Sequence, residues 1–143
     1  GYEMTYNQPF SFFKGWLSNL GVASNYTRVS ARDSTGLSRN SYNFTLYYDS
    51  PKFGIRASVN KRSDYLLSAP GGNGHLQERK FGPTHIDVAS FYNYSDNLTI
   101  SLEGINVTDE IERIYGTGDG TLDLTREYTH TGAQWFLGAR YRF

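Results

Sequence analysis

"GAQWFLGARYRF", Gly132 to Phe143, closes the chain, and its reading decides how the rest is read. At period two the odd positions are Ala133, Trp135, Leu137, Ala139, Tyr141 and Phe143; the even ones are Gln134, Phe136, Gly138, Arg140 and Arg142. A two-residue period belongs to a β-strand, whose successive side chains point to opposite faces. One face is apolar throughout and the other mostly polar. Two environments reward that alternation: a water-soluble sheet with a core behind it, or a lipid-facing barrel with a wet interior.

The same pattern recurs upstream. In Ser41 to Tyr48 the residues Tyr42, Phe44, Leu46 and Tyr48 share a face opposite Ser41, Asn43, Thr45 and Tyr47. Asp49-Ser50-Pro51-Lys52 reads as a tight turn, since proline supplies a fixed φ. Phe53, Ile55, Ala57 and Val59 then oppose Gly54, Arg56, Ser58 and Asn60, which completes a hairpin. A second hairpin pairs Ile86 to Tyr94 with Leu98 to Val107 around Ser95-Asp96-Asn97. Leu20, Val22 and Tyr26 mark a further strand, and Gly1 to Pro9 another.

Composition narrows the class. Aromatics are 16% of the 143 residues, led by 12 Tyr and 9 Phe, and tyrosine with its polar tip suits a membrane–water interface or a half-exposed sheet better than a dry interior. Lys plus Arg balances Asp plus Glu at 14 each, so no global field draws a polyanion, and nucleic acid is not an expected partner. Cysteine is absent, which excludes disulfides and thiolate metal sites. No run approaches the roughly 18 apolar residues of a spanning helix, and the start lacks the pattern of a signal peptide. A chain opening on Gly1-Tyr2 reads as a mature product or a piece of something longer.

Connection lengths alternate too. Short ones fall around Phe10 to Gly15, Asp49 to Lys52 and Ser95 to Asn97; long polar ones fall at Ala31 to Ser38, Ser68 to Lys80 and Asp109 to Thr129. In an up-and-down meander, consecutive connections lie on opposite rims, and outer-membrane barrels have this short-turn, long-loop asymmetry. The runs give about seven strands, whereas single-chain bacterial barrels use an even number of at least about 8. The expectation is an all-β antiparallel meander forming part of a large transmembrane barrel, because open edges in lipid would leave backbone groups unpaired.

Taken in order, "GYEMTYNQPFSF", "SYNFTLYYDSPKFGIRASVNKRSDYL", "YSDNLTISLEGINVTDE" and the terminal "WFLGARYRF" resemble the C-terminal part of a TonB-dependent outer-membrane receptor. The resemblance covers nearly all of residues 1–143; its most specific element is Leu102 to Glu110 ahead of a closing strand with terminal Phe. It implies a barrel of about 22 strands, of which this chain supplies the last seven or so, without the plug and earlier strands. It implies import of a scarce nutrient (siderophore-iron, cobalamin or an oligosaccharide) across the outer membrane of a Gram-negative bacterium. Implied partners are outer-membrane lipid and lipopolysaccharide, the rest of the same receptor, the barrel-assembly machinery, and an inner-membrane energy-transducing complex reached through the plug. No cofactor is implied.

On this reading Tyr42, Tyr48, Tyr92, Tyr94 and Trp135 are candidates for an aromatic girdle. Tyr141 and Phe143 are candidates for the signal that the assembly machinery reads. Arg56, Asn60, Arg62, Asp87, Glu103 and Arg140 are candidates for the lumen wall, a ligand path or plug contacts.

Sharper motifs dissolve on inspection. "GTGDGTLDL", Gly116 to Leu124, has Thr121 where a dinucleotide fingerprint needs a third glycine, and a calcium-binding nonapeptide works only as a stacked repeat; a flexible surface loop is expected. Asp109, Glu110, Glu112, Asp119, Asp123 and Glu127 against Arg113 and Arg126 give that region a local net of −4. Lys52, Arg56, Lys61, Arg62, Arg79 and Lys80 against Asp64 and Glu78 give residues 52–80 a net of +4. Ordinary solvation explains both; the functional alternative has the acidic loop gating entry and the basic residues meeting anionic headgroups. His75, His85 and His130 lie in separate segments without metal-ligand spacing, and no nucleophile elbow or paired carboxylates point to an enzyme. Sequons opening at Asn25, Asn43, Asn93, Asn97 and Asn106 arise readily in strands rich in Asn, Ser and Thr. The rivals are a complete small outer-membrane barrel with an adhesive or structural role, and a soluble β-barrel binding a ligand in its core.

Overall fold

The computed structural model describes residues 1–30, 34–72, 74–117 and 123–143. Its strands are β1 (Tyr2–Pro9), β2 (Leu20–Arg28), β3 (Asn40–Asp49), β4 (Phe53–Arg62), β5 (Tyr65–Ser68), β6 (Gln77–Lys80), β7 (Thr84–Asn93), β8 (Leu98–Ile105), β9 (Glu112–Thr117), β10 (Asp123–Thr129) and β11 (Gln134–Tyr141). Seven of them, the seven legible from alternation, form one antiparallel sheet in the order β1-β2-β3-β4-β7-β8-β11. The sheet is an open meander with β1 and β11 at its edges. Both expected hairpins are present, with Ser41 opposite Arg62 and Tyr48 opposite Ile55 in one, and Val88 opposite Gly104 and Asn93 opposite Thr99 in the other.

Short turns close one rim. The Ser50 N–H and hydroxyl both donate to the Phe53 carbonyl, at 3.0 and 2.7 Å, and thereby hold the chain reversal around Pro51. Around Ser95 to Asn97 the Leu98 N–H bonds the Ser95 hydroxyl at 3.1 Å. Asn97 also clips the end of the chain: its side-chain amide donates to the Arg142 carbonyl at 2.7 Å, and its own carbonyl accepts the Arg142 N–H at 2.9 Å. The β1–β2 connection is longer than the Phe10 to Gly15 turn expected, because a 3-10 turn at Gly15–Asn19 follows.

The long connections differ most from expectation. Ser68 to Lys80 and Asp109 to Thr129 read as polar loops, yet they contain β6, β9 and β10, which join β5 in a second antiparallel sheet ordered β10-β9-β6-β5. Gly116 to Leu124 is likewise strand at both ends, since β9 runs to Thr117 and β10 starts at Asp123; 118–122 fall outside the described residues. The physical reason is that polar residues make good strands when their backbones find partners and cross-strand neighbours. Gln77, Glu78, Arg79 and Lys80 pair with Thr117, Gly116, Tyr115 and Ile114, and Glu78 meets Arg126 at 3.2 Å across the sheet.

Neither sheet encloses an apolar interior among the described residues. Among the described residues the buried hydrophobic side chains are Tyr65 and Tyr115, both in the small sheet. Leu137, by contrast, is 80% exposed.

Candidate functional site

In an antiparallel pair, directly opposed residues share a face, so the registers assign every strand residue of the large sheet to one of two surfaces. The first carries Tyr2, Met4 and Tyr6 of β1; Leu20, Val22 and Tyr26 of β2; and Tyr42, Phe44, Leu46 and Tyr48 of β3. It continues through Phe53, Ile55, Ala57 and Val59 of β4, Ile86, Val88 and Tyr92 of β7, Leu98, Ile100 and Leu102 of β8, and Trp135, Leu137, Ala139 and Tyr141 of β11. No Asp or Glu of the seven strands lies on this face; its only charged members are Arg28 and Lys61.

The face is banded along the strands. β3 reads Tyr42, Phe44, Leu46, Tyr48 and β11 reads Trp135, Leu137, Ala139, Tyr141, so aromatics bracket the aliphatic middle. Toward the long-loop rim Tyr26 packs on Tyr2 with centroids 5.9 Å apart and stacks on Tyr42 at 4.8 Å. Toward the short-turn rim Tyr48 stacks on Phe53 at 4.9 Å, and Tyr141 meets Phe143 edge-on at 5.3 Å. Four of the five girdle candidates therefore share the apolar face: Tyr42, Tyr92 and Trp135 are exposed and Tyr48 is half-buried, while Tyr94, also exposed, lies just past the end of β7. Tyr141 and Phe143 are exposed at its short-turn end.

The opposite face is polar and carries all six lumen candidates, but it does not gather them into one site. Arg56 and Glu103 lie in a single row, both opposed to the small Ala89 between them, over a shallow depression that also includes Tyr47 and Phe91. Asn60 and Asp87 are joined directly, the Asn60 amide donating to the Asp87 carboxylate at 3.3 Å. Arg62 belongs to the long-loop end, its guanidinium 5.5 Å from the Tyr65 ring centroid. Arg140, opposed to Thr99, belongs to the short-turn end, roughly 30 Å away at about 3.3 Å per residue.

Asp87 has a second partner that sequence reading missed. Its other oxygen accepts the Asn106 N–H at 2.9 Å where β8 bends into β9. Asn106 sits there in the left-handed region, φ 52°, and its side-chain oxygen accepts the Glu110 N–H at 2.9 Å. Where β4 and β7 bend toward the small sheet, Asp64 accepts the Gly82 N–H at 2.9 Å and the Tyr115 hydroxyl at 3.3 Å, while Arg79 Nε donates to that same hydroxyl at 3.2 Å. Burial raises the Tyr115 phenol above its ordinary value, with Arg79 opposing the rise. Phe81 completes the joint, lying 4.3 Å from the Tyr115 ring with the Arg113 guanidinium 3.8 Å over its centroid. The one signal in the sequence was the Asn106-Val107-Thr108-Asp109 turn chemistry; which acids fold back onto it depends on long-range pairing.

Compared with known proteins, the chain matches no family model, no curated protein and no solved structure. The class its geometry defines is an open antiparallel sheet with one acid-free apolar face, one polar face, and a polar β extension on its long-connection rim.

Proposed function

We propose that this chain is the C-terminal part of the barrel of a TonB-dependent outer-membrane receptor that imports a scarce nutrient: an iron–siderophore complex, cobalamin or an oligosaccharide. The observation that carries the reading is the apolar face, continuous over seven strands, free of carboxylates in those strands and left uncovered by the described residues. Soluble monomers rarely expose contiguous apolar patches beyond a few hundred Å², because water penalises each Å² by about 25 cal/mol. Hydrocarbon removes that penalty, and the aromatic bands suit its two interfaces. The polar face then lines a wet lumen, where Arg56, Glu103, Asn60 and Asp87 form wall, and the small sheet extends the long-loop rim outside the membrane.

The sheet edges support the larger barrel. Among the described residues, one row of backbone donors and acceptors along each of β1 and β11 lacks a strand partner, and in lipid each such group costs several kcal/mol. Further strands of the same receptor satisfy both edges, with the plug inside the closed barrel. Tyr141 and Phe143 would serve the assembly machinery, and the inner-membrane energy complex would act through the plug.

The test is uptake by cells lacking the full-length gene. Growth limited by one of the three nutrient classes should fail in the deletion strain, recover with the gene, and require an energised inner membrane. A gene product absent from the outer membrane overturns the reading. An outer-membrane product whose loss affects adhesion or envelope integrity and no energy-dependent uptake favours the small-barrel rival.

A further inference from the structure

We infer that Arg28, Asn40 and Lys61 form a binding site for the phosphate of an anionic lipid headgroup, on the apolar face at the long-loop end. The inference rests on the membrane-barrel reading above. Its starting point is the distribution of charge: the strand residues of this face include two cations, no acid, and both cations fall at the same end. Met4, Tyr26, Tyr42, Lys61 and Thr84 oppose one another across five strands, and Arg28 opposes Asn40 one row nearer the rim.

By sheet spacing the Arg28 and Lys61 backbones are about 12 Å apart, a gap that two long, flexible side chains can close on one phosphate or its diester. Both residues are exposed, and among the described residues neither makes an ion pair.

Asn40 supplies the third donor. The Tyr26 hydroxyl donates to its side-chain carbonyl at 2.9 Å, which fixes the amide with its N–H₂ group left for another partner; among the described residues that group donates to nothing. Tyr42, on β3 between the two cations, lies opposite Lys61 and one row from Arg28. The cluster thus offers donors and positive charge with no competing carboxylate on its face, the requirement for binding a phosphate. A lipid is the favoured source because the next residues down the face are Phe44, Val59 and Ile86, a surface that acyl chains can cover while the cations stay at headgroup level. Lys52, at the other end, lies 5.8 Å over the Tyr92 ring without an equivalent set of neighbours.

The experiment uses the full-length protein in nanodiscs of phosphatidylcholine doped with phosphatidylglycerol, with co-purifying lipid counted by native mass spectrometry. Wild type should retain phosphatidylglycerol preferentially, and Arg28→Gln with Lys61→Gln should reduce that preference by about tenfold or more, given about 1 kcal/mol per cation near a lipid surface. The charge-conserving pair Arg28→Lys and Lys61→Arg should keep most of it, and Lys52→Gln should leave it unchanged. Normal insertion with no preference, or a preference untouched by the double Gln variant, overturns the proposal alone. Displacement of the lipid by millimolar inorganic phosphate would make this a soluble-anion site and overturn the lipid assignment. Wild-type protein that never enters the bilayer overturns the barrel reading, and this proposal with it.

Discussion

Three glycines of the large sheet are buried beneath an aromatic ring from the residue directly opposite: Gly21 under Tyr47, Gly54 under Phe91 and Gly104 against Trp135. A Cβ on Gly54 would fall 2.3 Å from Phe91 Cε1 and 2.8 Å from Cζ, so the ring lies where any other side chain would begin. Aromatic cover over a bare backbone is a known device for restoring packing where glycine leaves a gap in a sheet. Gly54→Val should therefore destabilise by about 1 to 3 kcal/mol through overpacking. Combined with Phe91→Ala the loss should be smaller than the sum, a coupling of at least about 0.5 kcal/mol, read from reversible unfolding of the single and double variants. Additive losses would mean that the ring does not occupy that space. Alternation set Gly54 opposite the apolar residues of its strand, as found, but nothing in the chain announced its contact with Phe91, because opposition across β4 and β7 depends on register over an intervening hairpin.

At the scale of elements the uncertain pieces were the connections, and the residues that shape them are polar. The seven strands of the large sheet were legible because one face of each must be apolar; β5, β6, β9 and β10 were not, because Gln77-Glu78-Arg79-Lys80 and its partners bury no stripe and show no period. The bends between sheets hang on single residues. At Asn106, φ 52° and the bond to the Glu110 N–H act together. Asn106→Gly should keep the conformation and lose about 1 kcal/mol of hydrogen bonding, whereas Asn106→Ala should add a left-handed strain of about 1 to 2 kcal/mol. Equal losses in the two variants, measured by denaturant midpoint, would show that the backbone there is unstrained. The Asp64–Tyr115–Arg79 joint makes a pH prediction. Burial raises the Tyr115 phenol, so the folded state favours its neutral form; the contribution is fully present below the ordinary value of 10.0 and is lost as pH rises beyond it. In ¹³C-tyrosine spectra one resonance, absent in Tyr115→Phe, should titrate above the bulk of the tyrosines; its titration with or below them would remove the burial argument.

For the whole molecule the question is which medium covers the apolar face, and two adjacent residues of β11 can answer it. Leu137 opposes Leu102 on the apolar face and is 80% exposed; Phe136 opposes Glu103 on the polar face and is 51% exposed. They differ by one residue along the strand, so depth in a bilayer is nearly matched and the face is the variable. Gly138 would be a poorer comparison, because a Cβ there falls 2.6 Å from Ser101 Oγ and adds a steric cost of its own. If lipid covers the apolar face, Leu137→Arg in the full-length protein puts a guanidinium into hydrocarbon and should cost about 2 to 4 kcal/mol near the midplane, less toward an interface. Phe136→Arg gives up aromatic packing but gains a partner in the Glu103 carboxylate and the lumen water, so its cost should be smaller by at least about 1 kcal/mol. Had the face been covered by a protein layer in a soluble fold, Leu137→Arg would still be costly, and the two readings would agree on rank. The vesicle separates them: if lipid is the covering medium, the penalty at 137 should fall when the host bilayer is thinned until the site approaches the headgroups, while the cost at 136 stays constant. A penalty at 137 that ignores bilayer thickness would mean that protein covers this face, and the membrane reading would have to be withdrawn.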